Sequence, residues 1–581
     1  MNNYVQNADK NRDWTQLFSA IFISAVVLYF IFAPAINMLF YAGDDFRYAL
    51  GGYNKACRLD DGFEFMLTLG RPVQAYMDCL SFKFAYTMER MRIIRIFAVI
   101  FMGCGMGLFA RWLYQLKFNW GEAFAAAGAI FLLRSLFEDT IPTGALSLPF
   151  AILLAMFAYF ILQYSYQNPH KRRYREHSSN CVMPAEAGIQ NKPEKSLDVS
   201  VAWHDAVPQT LSRYMIYSAL LVLGSMLTYP AMSFFFPVLI LTKLLFSDLT
   251  GWSKTRREVV KEVFIFCIVA AVYFIWATYN MHYHPQAPVP DAYRVDHPNL
   301  NPSELLKRLA IIANVFSEHW VMFGFNGSHF AAWLTLFIVP IGVVCAILRF
   351  ANSEFYAANR LKALHILSQN LLLAGIVFCL CSTFFLILPN LSLVELRILL
   401  GVLAARLVVF FWSVKQIAYW VDARPRILFF VTLFLYAAVE ANIQTTVVSL
   451  AYGEYYQKIE TALQNYLAKG VPLSRVHFIW SKQDGAYSGF FVTNAAMMRL
   501  LDNRQLAFKW CSLARGVPGE EKDNQRAMLA CVKSLPKETV AVTYSYAGDP
   551  IAQSTEMLVI NVPHAKTNYY THFLKFYRTE S

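Results

Sequence analysis

The segment Ala42-Gly-Asp-Asp-Phe-Arg-Tyr48 places two adjacent carboxylates, Asp44 and Asp45, directly after a long apolar run. A like charge alongside raises a carboxylate's pKa. That suits a group taking a proton from a sugar hydroxyl while its neighbour orients the acceptor or a cation. The competing reading is that the pair caps the following short helix and stays solvated. Arg47 sits in the same motif as a candidate substrate contact. Further on, Leu69-Gly-Arg-Pro-Val73 opens a mildly amphipathic segment that extends to Tyr86 and fits a helix lying along the outer membrane face. Gly70 and Pro72 bracket Arg71 and hold the backbone in a tight bend at the start of that helix. An arginine fixed beside a membrane cleft suits bidentate binding of a phosphate, and an interfacial arginine also serves lipid headgroups.

Other polar residues lie in segments expected on the same side. Glu138 and Asp139 furnish a second acidic pair, or simply an exposed turn. Tyr229-Pro230 lines a lipid groove or breaks a helix. Arg294 stands in a loop with His282, His284, Asp291, Asp296 and His297. The spacing His282-x-His284 can bind a metal, but no third ligand is fixed in sequence, so no metal site is assigned. No cofactor is assigned either, although a divalent ion is compatible with the acidic loop. Arg397 and Glu395 can form an ion pair at the outer end of their helix, while Arg406 lies deeper and needs a partner or an aqueous cleft.

These residues must be positioned by membrane helices. The 581 residues are 57% hydrophobic and only 15% charged, too little charge to solvate a soluble surface of this size. Apolar runs long enough to cross a bilayer number about eleven. They lie near residues 17–41, 93–113, 122–137, 145–164, 214–228, 231–246, 259–278, 330–348, 366–388, 394–420 and 427–450. The pair around Leu227-Thr-Tyr-Pro230 reads either as two short helices or as one broken helix. Met1–Gln16 is polar with no cleavage site after the first run, so that run reads as an anchor. With the N-terminus cytoplasmic, five basic loops fall inside, those of Arg111/Lys117, Lys171–Arg175, Lys254–Lys261, Arg349–Lys362 and Arg424/Arg426. The net charge of +12 is thereby explained by membrane orientation and not by nucleic acid.

Residues 1–450 thus read as a polytopic, mainly α membrane domain. Residues 167–213 are expected to be a disordered cytoplasmic loop, and 451–581 a small C-terminal periplasmic α/β domain. In the latter, Glu454–Ala468 and Ala495–Leu513 read as helices, and Arg475–Trp480, Val540–Tyr546 and Met557–Val562 as strands. The stretch Cys181–Gln190 resembles a peptide encoded by an intergenic bacterial repeat element, which hints at a bacterial source.

Asp44-Asp-Phe-Arg-Tyr48 after the first helix, followed at this distance by Gly70-Arg-Pro-Val73, resembles the O-antigen glucosyltransferase family of bacterial inner membranes. The match is best over the first hundred residues and in overall topology. The resemblance implies a GT-C-like fold and transfer of a sugar from a polyprenyl-phosphate donor to a lipid-linked or surface glycan outside the membrane. In that frame Asp44 or Asp45 is the base, and Arg71 and Arg397 hold the departing phosphate. A polytopic transporter and a glycan polymerase or ligase are the rival readings. No Walker A, GxSxG or dinucleotide fingerprint occurs in a suitable context, leaving ATP-driven and nicotinamide-linked activities without support.

Of the ten cysteines, four fall in the outer segments as two local pairs, Cys57 with Cys79 and Cys511 with Cys531. Pairing on an oxidising side predicts two disulfides, against the alternative of four buried thiols.

Overall fold

The computed structural model of the chain describes residues 2–39, 61–85, 88–141, 145–167, 203–247, 251–283, 301–318, 329–352, 360–387, 396–420, 423–480, 497, 501, 505–511, 521–546 and 557–562. Helix dominates. Seven helical segments are long and apolar enough to cross a membrane: Trp14–Asn37, Glu89–Gln115, Ser147–Tyr166, Trp252–His282, Leu361–Thr383, Arg397–Ile417 and Arg424–Thr446. The remaining expected runs are shorter apolar helices, at Arg213–Thr228, Pro230–Phe246 and Phe337–Ala351, and the helix α5 (Trp120–Phe131), which stops short of the expected Phe137. There the chain turns at Leu132–Leu133 and starts a separate short helix, α6 (Arg134–Thr140).

The ambiguity around Tyr229 resolves into a hairpin. Helix α7 (Ser147–Gln167) packs along α8 (Trp203–Thr228), with Tyr164 against Tyr214 at one end and Ser225 Oγ donating to the Ala151 carbonyl, 2.7 Å, towards the other. The two helices are therefore antiparallel. After Tyr229 come α9 (Pro230–Ser233) and α10 (Phe235–Phe246), and Lys243 near the end of α10 stands 5.2 Å from the Tyr166 ring. The chain thus climbs along α7 and descends again, with Tyr229 at the tip. Helix α8 starts at Trp203, ten residues before the expected end of the loop. Extending a formed helix backward costs little per residue, so its polar first turns stay helical.

The two ends of the bundle differ chemically. At one end Arg426 pairs with the buried Glu122, which with Asn119 forms a capping box, while Lys415 donates to the Lys117 carbonyl at 3.0 Å. Lys243 there bridges Glu258 and Glu262 at 2.8 and 2.9 Å, and Arg349 lies 4.0 Å from the Tyr419 ring. Basic residues from four of the five loops expected inside gather at this end. Arg71, Tyr229 and Arg397 lie at the opposite end.

The last long helix, α16 (Ala423–Ala468), runs unbroken through residue 450 and delivers a four-stranded parallel sheet to that opposite end. Strands β1 (Arg475–Trp480), β2 (Ala507–Trp510), β3 (Thr539–Tyr546) and β4 (Met557–Val562) are ordered β2-β3-β1-β4. Residues 497 and 501 are helical, and strand β2 replaces the later part of the helix expected over 495–513. Its alternating exposure and its pairing with β3 satisfy a short extended segment better than a helical turn. Helix α17 (Glu521–Ser534), unforeseen from the sequence, is tied to the end of β2 by the disulfide Cys511–Cys531, with Cα atoms 5.5 Å apart. The apolar face of the sheet shares one core with Tyr455, Ile459 and Leu463 of α16 and with Phe82, Ala85 and Met91 from the first outer segment.

Candidate functional site

Arg71 is held by a joint between two helices. Helix α2 (Asp61–Thr68) ends with Gly70 in the left-handed region, φ +74°; the Gly70 N–H reaches Leu67 O and the Arg71 N–H reaches Met66 O, both at 2.9 Å. This is the Schellman arrangement that glycine permits without a Cβ penalty. Asn280 takes the Leu67 carbonyl at 2.6 Å, and a Cβ on Gly70 would stand 2.9 Å from that of Ala277, so the joint is seated on helix α11 (Trp252–Tyr283). Pro72 then opens helix α3 (Pro72–Phe84), where its missing N–H costs nothing. The tight bend expected from Gly70-Arg-Pro is the one observed.

Tyr229 is extended, φ −152° and ψ 102°, at the hairpin tip, and is only 3% exposed. The Arg71 guanidinium carbon lies 4.6 Å from its ring centroid and that of Arg397 5.9 Å. Arg397 sits in a single 3-10 turn, Leu396–Leu399, before helix α15 (Leu400–Ile417). Gly401, one turn later, approaches Phe234 so closely that a Cβ would lie 2.9 Å from the phenylalanine Cβ. A larger residue there would have to displace Phe234 or the Cys381 carbonyl, also 2.9 Å away. Arg71 Nε is buried without a hydrogen-bond partner, and the Tyr273 hydroxyl is within bonding reach of the same guanidinium.

Along α3, Gln74 and Asp78 follow Arg71 at helical spacing, and both are 5% exposed. Burial raises the Asp78 carboxyl to about 7, while Gln74, Ser147 and the positive charge of Arg71 act in the opposite direction. Gln74 Oε1 is buried without a partner. Asp78 was not foreseen from the sequence. Its legible signal is one acid on the Arg71 face of a helix whose neighbouring positions, Ala75, Cys79 and Phe82, are apolar and buried.

Glu138 and Asp139 lie on α6, which packs against the 3-10 turn of Arg397 and against α16. Their backbone is thus brought to the site, while their side chains lie outside the description. On α16, Glu440 is 2% exposed, accepts from Gln444 at 2.8 Å and faces the positive charge of Arg134 at the head of α6. Asp44, Asp45, Arg47 and Arg294 lie outside the described residues, as do Cys57, His284 and Glu395. Cys79 on α3 is disulfide-bonded, and its expected partner Cys57 lies outside the described residues. Among the described residues, no three or more His, Cys, Asp or Glu side chains are grouped to hold a metal ion.

Two arginines, two buried tyrosines and a buried acid thus gather around the α2–α3 joint, the tip of the α8–α9 hairpin and the 3-10 turn before α15. The positive pair can hold a phosphate edge-on, and the aromatic rings can exclude water behind it. Compared with known proteins, the chain matches no family model and no curated protein.

Proposed function

We propose that the chain is a GT-C-type glycosyltransferase that moves a sugar, glucose in the first instance, from a polyprenyl-phosphate donor to a cell-surface glycan such as O-antigen. The observation that carries this reading is the convergence of Arg71 and Arg397, distant in sequence, on Tyr229 at one end of a membrane-type bundle. A lipid-phosphate leaving group needs charge stabilisation more than protonation, and a fixed pair of guanidinium groups supplies it. Asp44 or Asp45 takes the proton from the acceptor hydroxyl as that oxygen attacks the anomeric carbon. The bond to the phosphate oxygen breaks, and the configuration inverts. Glu138, Asp139, Arg47 and Arg294 contribute to substrate binding from the surrounding segments.

The same reading places the protein in a bacterial inner membrane with about eleven crossings, the N-terminus cytoplasmic, and the site and C-terminal domain periplasmic. The gathering of basic side chains at the opposite end supports that orientation, and the Cys511–Cys531 bridge supports an oxidising compartment for the domain. The test is the sugar composition and linkage of the surface polysaccharide with and without the gene. Loss of one side-branch sugar on deletion is expected, and an unchanged polysaccharide would refute the assignment.

A further inference from the structure

Strand β1 alternates, with Val476 and Phe478 in the apolar core and Arg475 and His477 on the other face of the sheet. Register sets His477 beside Thr543, and Arg475 beside the small Ala541. On that face the polar groups interlock. Arg475 Nε donates to Thr543 Oγ1 at 3.2 Å, His477 Nδ1 meets the same hydroxyl at 2.8 Å, and His477 Nε2 meets Ser545 Oγ at 2.9 Å. Both imidazole nitrogens are occupied by hydroxyls. Burial, with Arg475 alongside, lowers the ring's pKa to about 4, so the ring is neutral at ordinary pH.

Arg475 is the unexplained member. It is 6% exposed, its Nη2 is buried with no hydrogen-bond partner, and among the described residues no carboxylate acts on its charge. A buried guanidinium without a counter-charge is strongly disfavoured, and a hydrophobic side chain would pack there at lower cost. It is retained most readily where an anion completes it. A buried guanidinium with Nε committed to Thr543 and Nη2 unpaired has donors left over that suit an oxygen pair of a carboxylate or phosphate.

We propose that the polar face of the C-terminal sheet binds an oxyanion, with Arg475 as the charge and His477, Thr543 and Ser545 as the frame that fixes it. The group recognised is a carboxylate or a phosphate. An acidic sugar of a glycan and free phosphate are its two sources. This site is separate from the arginine pair on Tyr229 and does not depend on the transferase reading.

The test uses the full-length protein in detergent, titrated with inorganic phosphate, glucuronate or glucose against chloride at matched ionic strength. A saturable rise in the thermal midpoint with phosphate or glucuronate, and none with glucose, is expected. Phosphate alone acting identifies the free-ion source, and glucuronate the acidic sugar. Arg475→Gln should weaken the effect about tenfold or more, as expected for loss of a charged hydrogen-bond donor. Should that variant not fold, the wild-type protein decides through phenylglyoxal modification mapped by peptide mass. Arg475 should be protected by the active anion. Absence of any anion-specific shift, an equal shift in Arg475→Gln, or modification of Arg475 unaffected by anions would overturn the proposal.

Discussion

Arg71 and Arg397 approach one aromatic ring from separate parts of the chain, their guanidinium carbons 4.6 Å and 5.9 Å from the centroid of Tyr229. Two like charges held this close are mutually repulsive unless the ring and an anion compensate them. The tyrosine therefore does more than break a helix. Tyr229→Leu should remove the aromatic face, let the arginines separate, and raise KM for a lipid-phosphate donor by about tenfold, as expected for loss of a cation–π contact of about 1–2 kcal/mol. Tyr229→Phe should keep near-normal KM. Steady-state kinetics on both variants check this, and equal effects would place the role in the hydroxyl.

Gly70→Ala should destabilise the protein by about 1–3 kcal/mol, because the added Cβ meets Ala277 while φ remains at +74°. Its effect on the site should exceed its effect on stability, since Arg71 is the next residue. Thermal unfolding and donor KM measured on one preparation separate the two.

Asp78 predicts a pH dependence of definite sign. Its ordinary pKa of 3.8 is raised to about 7 on folding, so between those values the native state keeps a proton that the unfolded chain has lost. Stability is greatest near and below pH 3.8 as far as this group is concerned, falls as pH rises towards 7, and is flat above it. The effect is of order a few kcal/mol. Asp78→Asn should remove that slope and stabilise the protein at pH 7 or above. The thermal midpoint from pH 5 to 8 reads it, and an unchanged slope in the variant would assign the titration elsewhere.

Cys511 and Cys531, 20 residues apart in sequence, close a loop worth about 3 kcal/mol in the chain-entropy model. Cys511→Ser with Cys531→Ser should loosen α17 from the sheet and expose 507–534 to protease. The membrane helices, which among the described residues share no core with α17, should keep their resistance. Limited proteolysis with peptide mapping tests it.

The residues explain what could be read in advance. The apolar runs, the Gly70-Arg-Pro bend, strands β1, β3 and β4 and the local pairing of Cys511 with Cys531 depend on short-range chemistry that spacing reports. Strand β2 is not legible locally, because Ala507–Trp510 is too short to show a period and takes its pairing from β3, distant in sequence. Asp78 was invisible for a different reason. Its burial comes from helices beginning after residue 140, which no window around α3 contains. Arg71 and Arg397 were each legible as phosphate candidates, but their meeting on Tyr229 is a tertiary fact. The helix hairpin at Tyr229 likewise needed the Ser225–Ala151 contact to distinguish it from one broken span.

The most direct measurement is transfer of radiolabelled glucose from polyprenyl-phosphate-glucose to a glycan acceptor in proteoliposomes, comparing wild type with Arg71→Gln, Arg397→Gln and the double variant. The wild type should transfer. Each single variant should lose about a hundredfold or more in kcat/KM, as expected for removal of one charge stabilising the departing phosphate, and the double variant should lose less than the product of the two. A double variant transferring at the wild-type rate, with all proteins equally folded, would contradict a phosphate held between these arginines.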